Sequence, residues 1–172
     1  MHATAIATTV GLDLAKNVFQ AHGADAHGRA LFRKKLQRNQ VLEFFANLAP
    51  CLVAMEACGS AHHWGRKLGE LGHTARLIAP QYVKPYVKGQ KNDAADAAAI
   101  CEAASRPHMR FVALKSAQQQ SLLALHTVRS GLIKQRTALS NQIRGLLAEF
   151  GLVLPKGLAQ LRQRLAPLVQ EA

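Results

Sequence analysis

Acidic residues are scarce in this chain. Ten Asp and Glu stand against 22 Lys and Arg in 172 residues, giving a formal net charge of +12 and an isoelectric point near 10.3. That imbalance argues against cationic partners and points to a polyanion. Cysteine is nearly absent: Cys51, Cys58 and Cys101 form an odd set without CxxC spacing, which excludes a disulfide framework and a zinc cluster and leaves buried or inert thiols as the expectation. No apolar run approaches the ~18 residues of a spanning helix, so nucleic acid is favoured over membrane as the polyanion. The opening "MHATAIATTVGLDLAK" lacks the basic leader and long apolar stretch of a signal peptide, and a cytoplasmic protein is expected.

The few acids are unevenly spread. Met1 to Leu114 holds 14 basic and 8 acidic residues, and Lys115 to Ala172 holds 8 and 2, so the tail has about twice the charge density. In the first region "ATAIATTVGLDL" reads as a strand, "NVFQAHGA" as its hairpin partner and "GRALFRKKLQ" as a third strand opened by a turn at His27 and Gly28. Asn39 suits the N-cap of a helix through "QVLEFFANLA", stopped by Pro50. "CLVAMEA" is apolar enough for a strand buried on both faces. Gly59 and Ser60 open a further helix that Gly72 ends, and "HTARLIA" is a fifth strand closed by Pro80. This order predicts a mixed five-stranded α/β sheet, antiparallel in its first hairpin and parallel later.

From Ser116 the pattern is helix alone. Leu125, Leu132, Leu139 and Leu146 recur every seven residues, with Leu122, Ile143 and Phe150 at companion positions and Arg129 and Arg136 interrupting them. The seam suits either a coiled coil or a long helix packed on its own domain. Gly151, Pro155 and Gly157 end it, and "LAQLRQRLA" is a short basic amphipathic helix expected to stop before Pro167. The organisation expected is a sheet domain over 1–114, a coiled-coil segment over 115–152 and a basic helical linker over 153–172.

The acids fall at chemically useful places. Asp13 ends the first strand, Glu56 ends the fourth, and Asp93 and Asp96 in "KNDAADAAAI" are neighbours on one helix face. Strand ends form the site-bearing edge of an open α/β sheet. Clustered carboxylates repel and tend to protonate unless cations neutralise them, and a pair of Mg²⁺ ions, hard oxygen-seeking cations, would do so. Taken singly, Asp13 reads equally as a turn residue and the Asp93/Asp96 pair as a charge favouring a helix N-terminus. Glu56 is harder to dismiss, since a carboxylate ending an apolar strand is costly to bury alone.

Together these residues resemble a known family. The blocks "VGLDLAKNVFQAHG", "LVAMEACGS" and "GQKNDAADAAAICEA" look like those of the DEDD insertion-sequence transposases related to the Piv pilin-gene invertase, whose first domain resembles the RuvC resolvases. The resemblance covers about Thr8 to Phe150. It implies an RNase H-like fold, and a metal-binding catalytic tetrad of Asp13, Glu56, Asp93 and Asp96 holding two Mg²⁺, with Mn²⁺ as a substitute. It implies DNA as substrate, cut by a two-metal mechanism, and a structured guide RNA as partner. It also implies a further C-terminal domain with a nucleophilic serine; Ser60, Ser105, Ser116, Ser121, Ser130 and Ser140 do not match that motif, so this chain alone is expected not to complete strand exchange. Cys58 stands where many relatives carry a hydroxyl and is assigned no role.

The basic residues complete the reading. Lys84, Lys88 and Lys91, interleaved with Tyr82 and Tyr86, form one nucleic-acid candidate, because ammonium groups neutralise phosphates and tyrosines stack on bases. Arg129, Lys134, Arg136 and Arg144 on the long helix form a second. Either set reads equally as solvated surface. Adjacent His62 and His63 point different ways on a helix and are expected in surface or core. Self-association through the helical segment is expected. The alternatives are a non-catalytic RNA- or DNA-binding module of the same fold and, more remotely, an actin-like phosphotransferase, against which Leu14 and Ala15 rather than glycine follow Asp13.

Overall fold

Strands buried on both faces lie at the centre of the sheet. Thr9–Asp13 forms β1, with Val10 and Leu12 fully buried toward one layer and Gly11 buried toward the other. The structure, a computed structural model, describes residues 6–87 and 93–170. Val18–Ala24 (β2) returns antiparallel beside β1, and Ala30–Gln37 (β3) pairs antiparallel with β2. Leu52–Glu56 (β4) and Thr74–Ile78 (β5) run parallel to β1. A sixth strand, Phe111–Val112 (β6), pairs antiparallel with β5, giving the order β3-β2-β1-β4-β5-β6. The five-strand expectation is thereby corrected to six: two residues leave no alternation to detect.

The β2–β3 turn is closed by Asp25. Its Oδ1 accepts from the backbone N–H groups of His27 and Arg29, each at 2.9 Å, and its Oδ2 accepts from Arg29 Nε at 2.8 Å. These bonds, the Arg29 backbone donor foremost, hold the Asp25 carboxyl below its ordinary range. Stabilisation of the turn is therefore present above the ordinary carboxylate pKa and is lost only as pH falls through the depressed value.

Helices cover both faces. Val41–Ala46 (α1) and Ala61–Glu70 (α2) lie on the side of Val10, Leu12, Val53, Met55 and Leu77, where Phe45, Trp64 and Leu68 complete the larger core. Asn39 does not cap α1. It lies inside a 3₁₀ turn, Arg38–Gln40, because the Gln40 side chain returns to the Gln37 backbone N–H at 2.9 Å and starts the turn earlier. Pro80–Val83 (α3) leads into a 3₁₀ turn at Lys84–Tyr86, and Asp93–Ala104 (α4) packs on the opposite face with Ala54, Ile78, Ala99, Ile100 and Ala103.

One buried histidine joins the larger core to its connections. His73, at the start of the stretch leading into β5, accepts the Cys51 backbone N–H at Nδ1 (3.2 Å) and donates from Nε2 to the Phe45 carbonyl (2.9 Å). His73→Leu leaves the Cys51 N–H buried without a partner, while the Phe45 carbonyl keeps its bond from the Leu48 N–H, and is expected to cost about 2 kcal/mol, read as a lower urea midpoint with unchanged slope. A loss below about 1 kcal/mol would mean that water replaces the imidazole.

Chain contacts define two compact units, Met1–Ala117 and Gln118–Ala172. The second contains Ala117–Glu149 (α5), a helix of 33 residues beginning at the boundary, and Leu158–Gln170 (α6). Gly151 (φ 77°) and Gly157 (φ 106°) break the chain between them, as their positions suggest. α6 continues through Pro167, where a stop was expected: a proline nine residues into a helix forfeits one backbone bond without preventing a further turn. Among the described residues no helix is long and apolar enough to cross a membrane.

Candidate functional site

The pairing of β1 with β4 decides where the first two acids meet. Leu12 faces Met55 across the parallel register, so Asp13 and Glu56 follow side by side at the carboxyl ends of neighbouring strands, both half-buried. By the period of two, they lie on the face of Gly11 and Ala54, the one that α4 covers. Their fields converge nearby. The Cys58 thiol, two residues beyond Glu56, is pushed up first by partial burial and then by the negative charges of Glu56 and Asp13. Cys58 is exposed, whereas Cys51 and Cys101 are buried; burial pushes the Cys51 thiol up to about 11 and raises that of Cys101 too.

The approach of α4 is set by Gly11. A Cβ there would overlap the Ala97 carbonyl oxygen and sit 2.6 Å from the Cys101 backbone nitrogen, so helix backbone rests directly on strand backbone. Cys101 Sγ lies 3.7 Å from the Thr9 carbonyl oxygen. With Cys101 over Thr9 and Ala97 over Gly11, α4 runs antiparallel to β1 and its N-terminal turn heads toward the strand end that carries Asp13. Asp93 begins that turn, one turn before Ala97. Asp96, half-buried, precedes by one turn the stripe of Ala99, Ile100 and Ala103 that packs with Ala54 and Ile78. Lys88 and Lys91 lie outside the described residues, as does the Asp93 side chain. Among the described residues, no three His, Cys, Asp or Glu side chains stand together as a metal cage.

The proposed basic surfaces resolve differently. Lys84 is exposed, but Tyr82 and Tyr86 are half-buried against the second core, and the Arg106 guanidinium lies 5.4 Å from the Tyr86 ring centroid. On α5, Arg129, Lys134 and Arg136 are exposed, with Arg129 and Arg136 beside Leu125 and Leu132 in a hollow of about 480 Å³. Arg144 is half-buried and donates from Nη2 to Asn141 Oδ1. His63 is exposed, while half-buried His62 accepts the Lys115 backbone N–H at 3.2 Å.

Sequence reasoning missed a further set on the sheet. Asp13 pairs with Gln20 and Gln20 with Lys35; Gly11 pairs with His22 and His22 with Arg33. Gln20, His22, Arg33 and Lys35 therefore share the carboxylate face. The alternation in "FRKKLQ" was the available signal, since it separates Arg33 and Lys35 from Lys34, which lies over the Phe44 ring on the other face.

Fold and site together define an α/β protein whose acidic strand ends lie on the sheet face covered by one helix, within a strongly basic chain. The chain belongs to the IS110-type transposases: the family model DEDD_Tnp_IS110, described as Transposase, matches residues 10–151. It is 66% identical over 144 residues to "Probable family 20 transposase" of Pseudomonas aeruginosa, covering 84% of this chain and 43% of that protein. It is 48% identical over 160 residues to "Transposase for insertion sequence element IS1111A" of Coxiella burnetii, covering 93% and 44%. With "Transposase for insertion sequence element IS1328" of Yersinia enterocolitica the identity is 46% over 164 residues, covering 95% and 49%. The chain thus spans less than half the length of these relatives.

Proposed function

We propose that this chain is the RNase H-like, metal-binding portion of an insertion-sequence transposase that acts on DNA phosphodiesters. The observation that carries this reading is the juxtaposition of Asp13 and Glu56 at parallel strand ends, on the face crossed by the helix bearing Asp93 and Asp96. Three antiparallel strands followed by two parallel ones support the RuvC-like form of the fold.

Two adjacent half-buried carboxylates suit a hard divalent cation, since each lowers the cost of holding it and it relieves their repulsion. Asp13 and Glu56, with Asp93 and Asp96, would hold two Mg²⁺, or Mn²⁺ in their place. When bound, such ions supply charge that stabilises the attacking and leaving oxygens of an in-line phosphodiester displacement. The chain's own contribution is positional: Gly11 admits α4 to the sheet, and the β1–β4 register aligns the first two carboxylates. DNA and a structured guide RNA are the proposed partners of the whole protein, met through Lys84, Arg129, Lys134 and Arg136. The helical segment is proposed to self-associate as a coiled coil, supported by Leu125, Leu132, Leu139 and Leu146, each at least 57% exposed.

Calorimetric titration of the chain with Mg²⁺ is expected to show two ions bound. A folded chain that binds oligonucleotides yet takes up no divalent ion would instead be a non-catalytic nucleic-acid-binding module.

A further inference from the structure

The β2–β3 hairpin and α4 enclose a cavity of about 920 Å³ on the carboxylate face of the sheet. Its floor includes His22 and Arg33, and its helical wall includes Ala95, Ala98 and Glu102. Ala95 adjoins Asp96, so one end of the cavity opens at the acidic end of α4. We propose that this cavity is a binding groove for single-stranded DNA, holding the strand that runs to or from the carboxylate pair by its phosphates and by one contact to His22. The inference rests on the reading given under Proposed function.

Five observations carry it. His22 lines the cavity and is only 8% exposed, and its Nδ1 is buried without a hydrogen-bond partner until the ring turns to bring it to the cavity. A buried polar atom left unsatisfied is costly, and a ligand group placed there would complete it. Arg33 is exposed beside it, and Lys35 continues the same face opposite Gln20, which itself neighbours Asp13. Cations of β3 thus lie two strands, roughly 10 Å, from the carboxylate row, within reach of a neighbouring phosphate.

The acids of the cavity are already engaged. Asp25 is bound by Arg29 and by the His27 and Arg29 backbones, and Glu102 by Arg106 at 2.6 Å. Among the lining residues Arg33 then adds positive charge, which favours an anion. Size then selects the occupant, because a space of this volume matches a small-ligand pocket and admits one or two nucleotides rather than a duplex. The wall residues Ala95 and Ala98 are short enough to let a strand lie against the helix.

The test uses fluorescence anisotropy of the full chain with a labelled single-stranded DNA, its RNA counterpart and a duplex, all in EDTA so that no metal ion contributes to binding. Arg33→Ala/Lys35→Ala is expected to weaken single-stranded DNA binding at least about tenfold and to reduce the salt slope by about 1.4, the value for two lost phosphate contacts. Lys34→Ala, a charge removed from the other face of the same strand, is expected to change affinity less than twofold. His22→Phe is expected to weaken binding without altering the salt slope; if it fails to fold, the Arg33/Lys35 pair and its control carry the test.

Equal losses in the Lys34→Ala chain, or no loss in the double variant, would overturn the groove. A loss confined to the RNA probe, or larger for duplex, would overturn the choice of single-stranded DNA. Mg²⁺ uptake measured on the same double variant separates the two proposals. Retained uptake with unaffected DNA binding removes the groove alone, while weakened DNA binding in a double variant whose folded parent takes up no Mg²⁺ either removes the metal site alone.

Discussion

Asp13→Asn is expected to weaken Mg²⁺ binding by at least about 100-fold while leaving the fold intact. The substitution keeps the shape of the side chain and removes its charge, so an amide oxygen would replace the carboxylate at the proposed ion site. Loss of even an outer partner of a metal ligand typically costs 10–100-fold in affinity, which makes about 100-fold a lower bound for the ligand itself. Thermal stability without metal is the second readout. Asp13 and Glu56 are half-buried neighbours, and removing one of two like charges relieves repulsion. The variant is therefore expected to melt close to the parent, the relieved repulsion offsetting the other interactions of the Asp13 carboxylate that the amide does not keep. Undiminished Mg²⁺ uptake would remove Asp13 from the site.

Gly11→Ala is expected to be the most destabilising single-methyl change in the sheet. The new Cβ would meet backbone on both sides, the Ala97 carbonyl oxygen and the Cys101 nitrogen, rather than a side chain able to swing aside. Either α4 lifts or β1 bends. Overpacking of this kind costs about 1–3 kcal/mol when side chains can move, and about 3–5 kcal/mol is expected where they cannot. Displacement of α4 also withdraws its N-terminal turn from the strand end, so Mg²⁺ affinity should fall in whatever fraction stays folded. Denaturant titration with and without Mg²⁺ checks both effects; a midpoint within about 0.5 kcal/mol of the parent would show that the close approach is not needed.

The two substitutions divide what was legible from what was not. That Asp13 and Glu56 end strands could be read from apolar runs that stop at a charge, because strand ends are local events. The helix over "DAADAAAI" and its small side chains were legible for the same reason, and the need for α4 to lie close could be anticipated from its alanines. The residue that permits contact is on the other partner, Gly11, whose role appears only once helix and strand are docked. β6 escaped notice because Phe111 and Val112 become a strand only by pairing with Ile78 and Leu77. Tyr82 and Tyr86 read as base-stacking residues in a basic stretch, and their half-burial beside the second core is a matter of docking that the stretch itself does not reveal.

By itself, then, the sequence determined the order of the elements, the long helix, the basic character and the carboxylates at strand and helix ends, all of which follow from residue types within a few positions of one another. The tertiary structure alone decided which of these meet. Strand register puts Asp13 beside Glu56 across more than forty residues of chain, and the same register lines up Gln20, His22, Arg33 and Lys35 on the carboxylate face. Register depends on the summed burial of whole strands and on the backbone contact at Gly11, interactions between distant segments that no local pattern encodes.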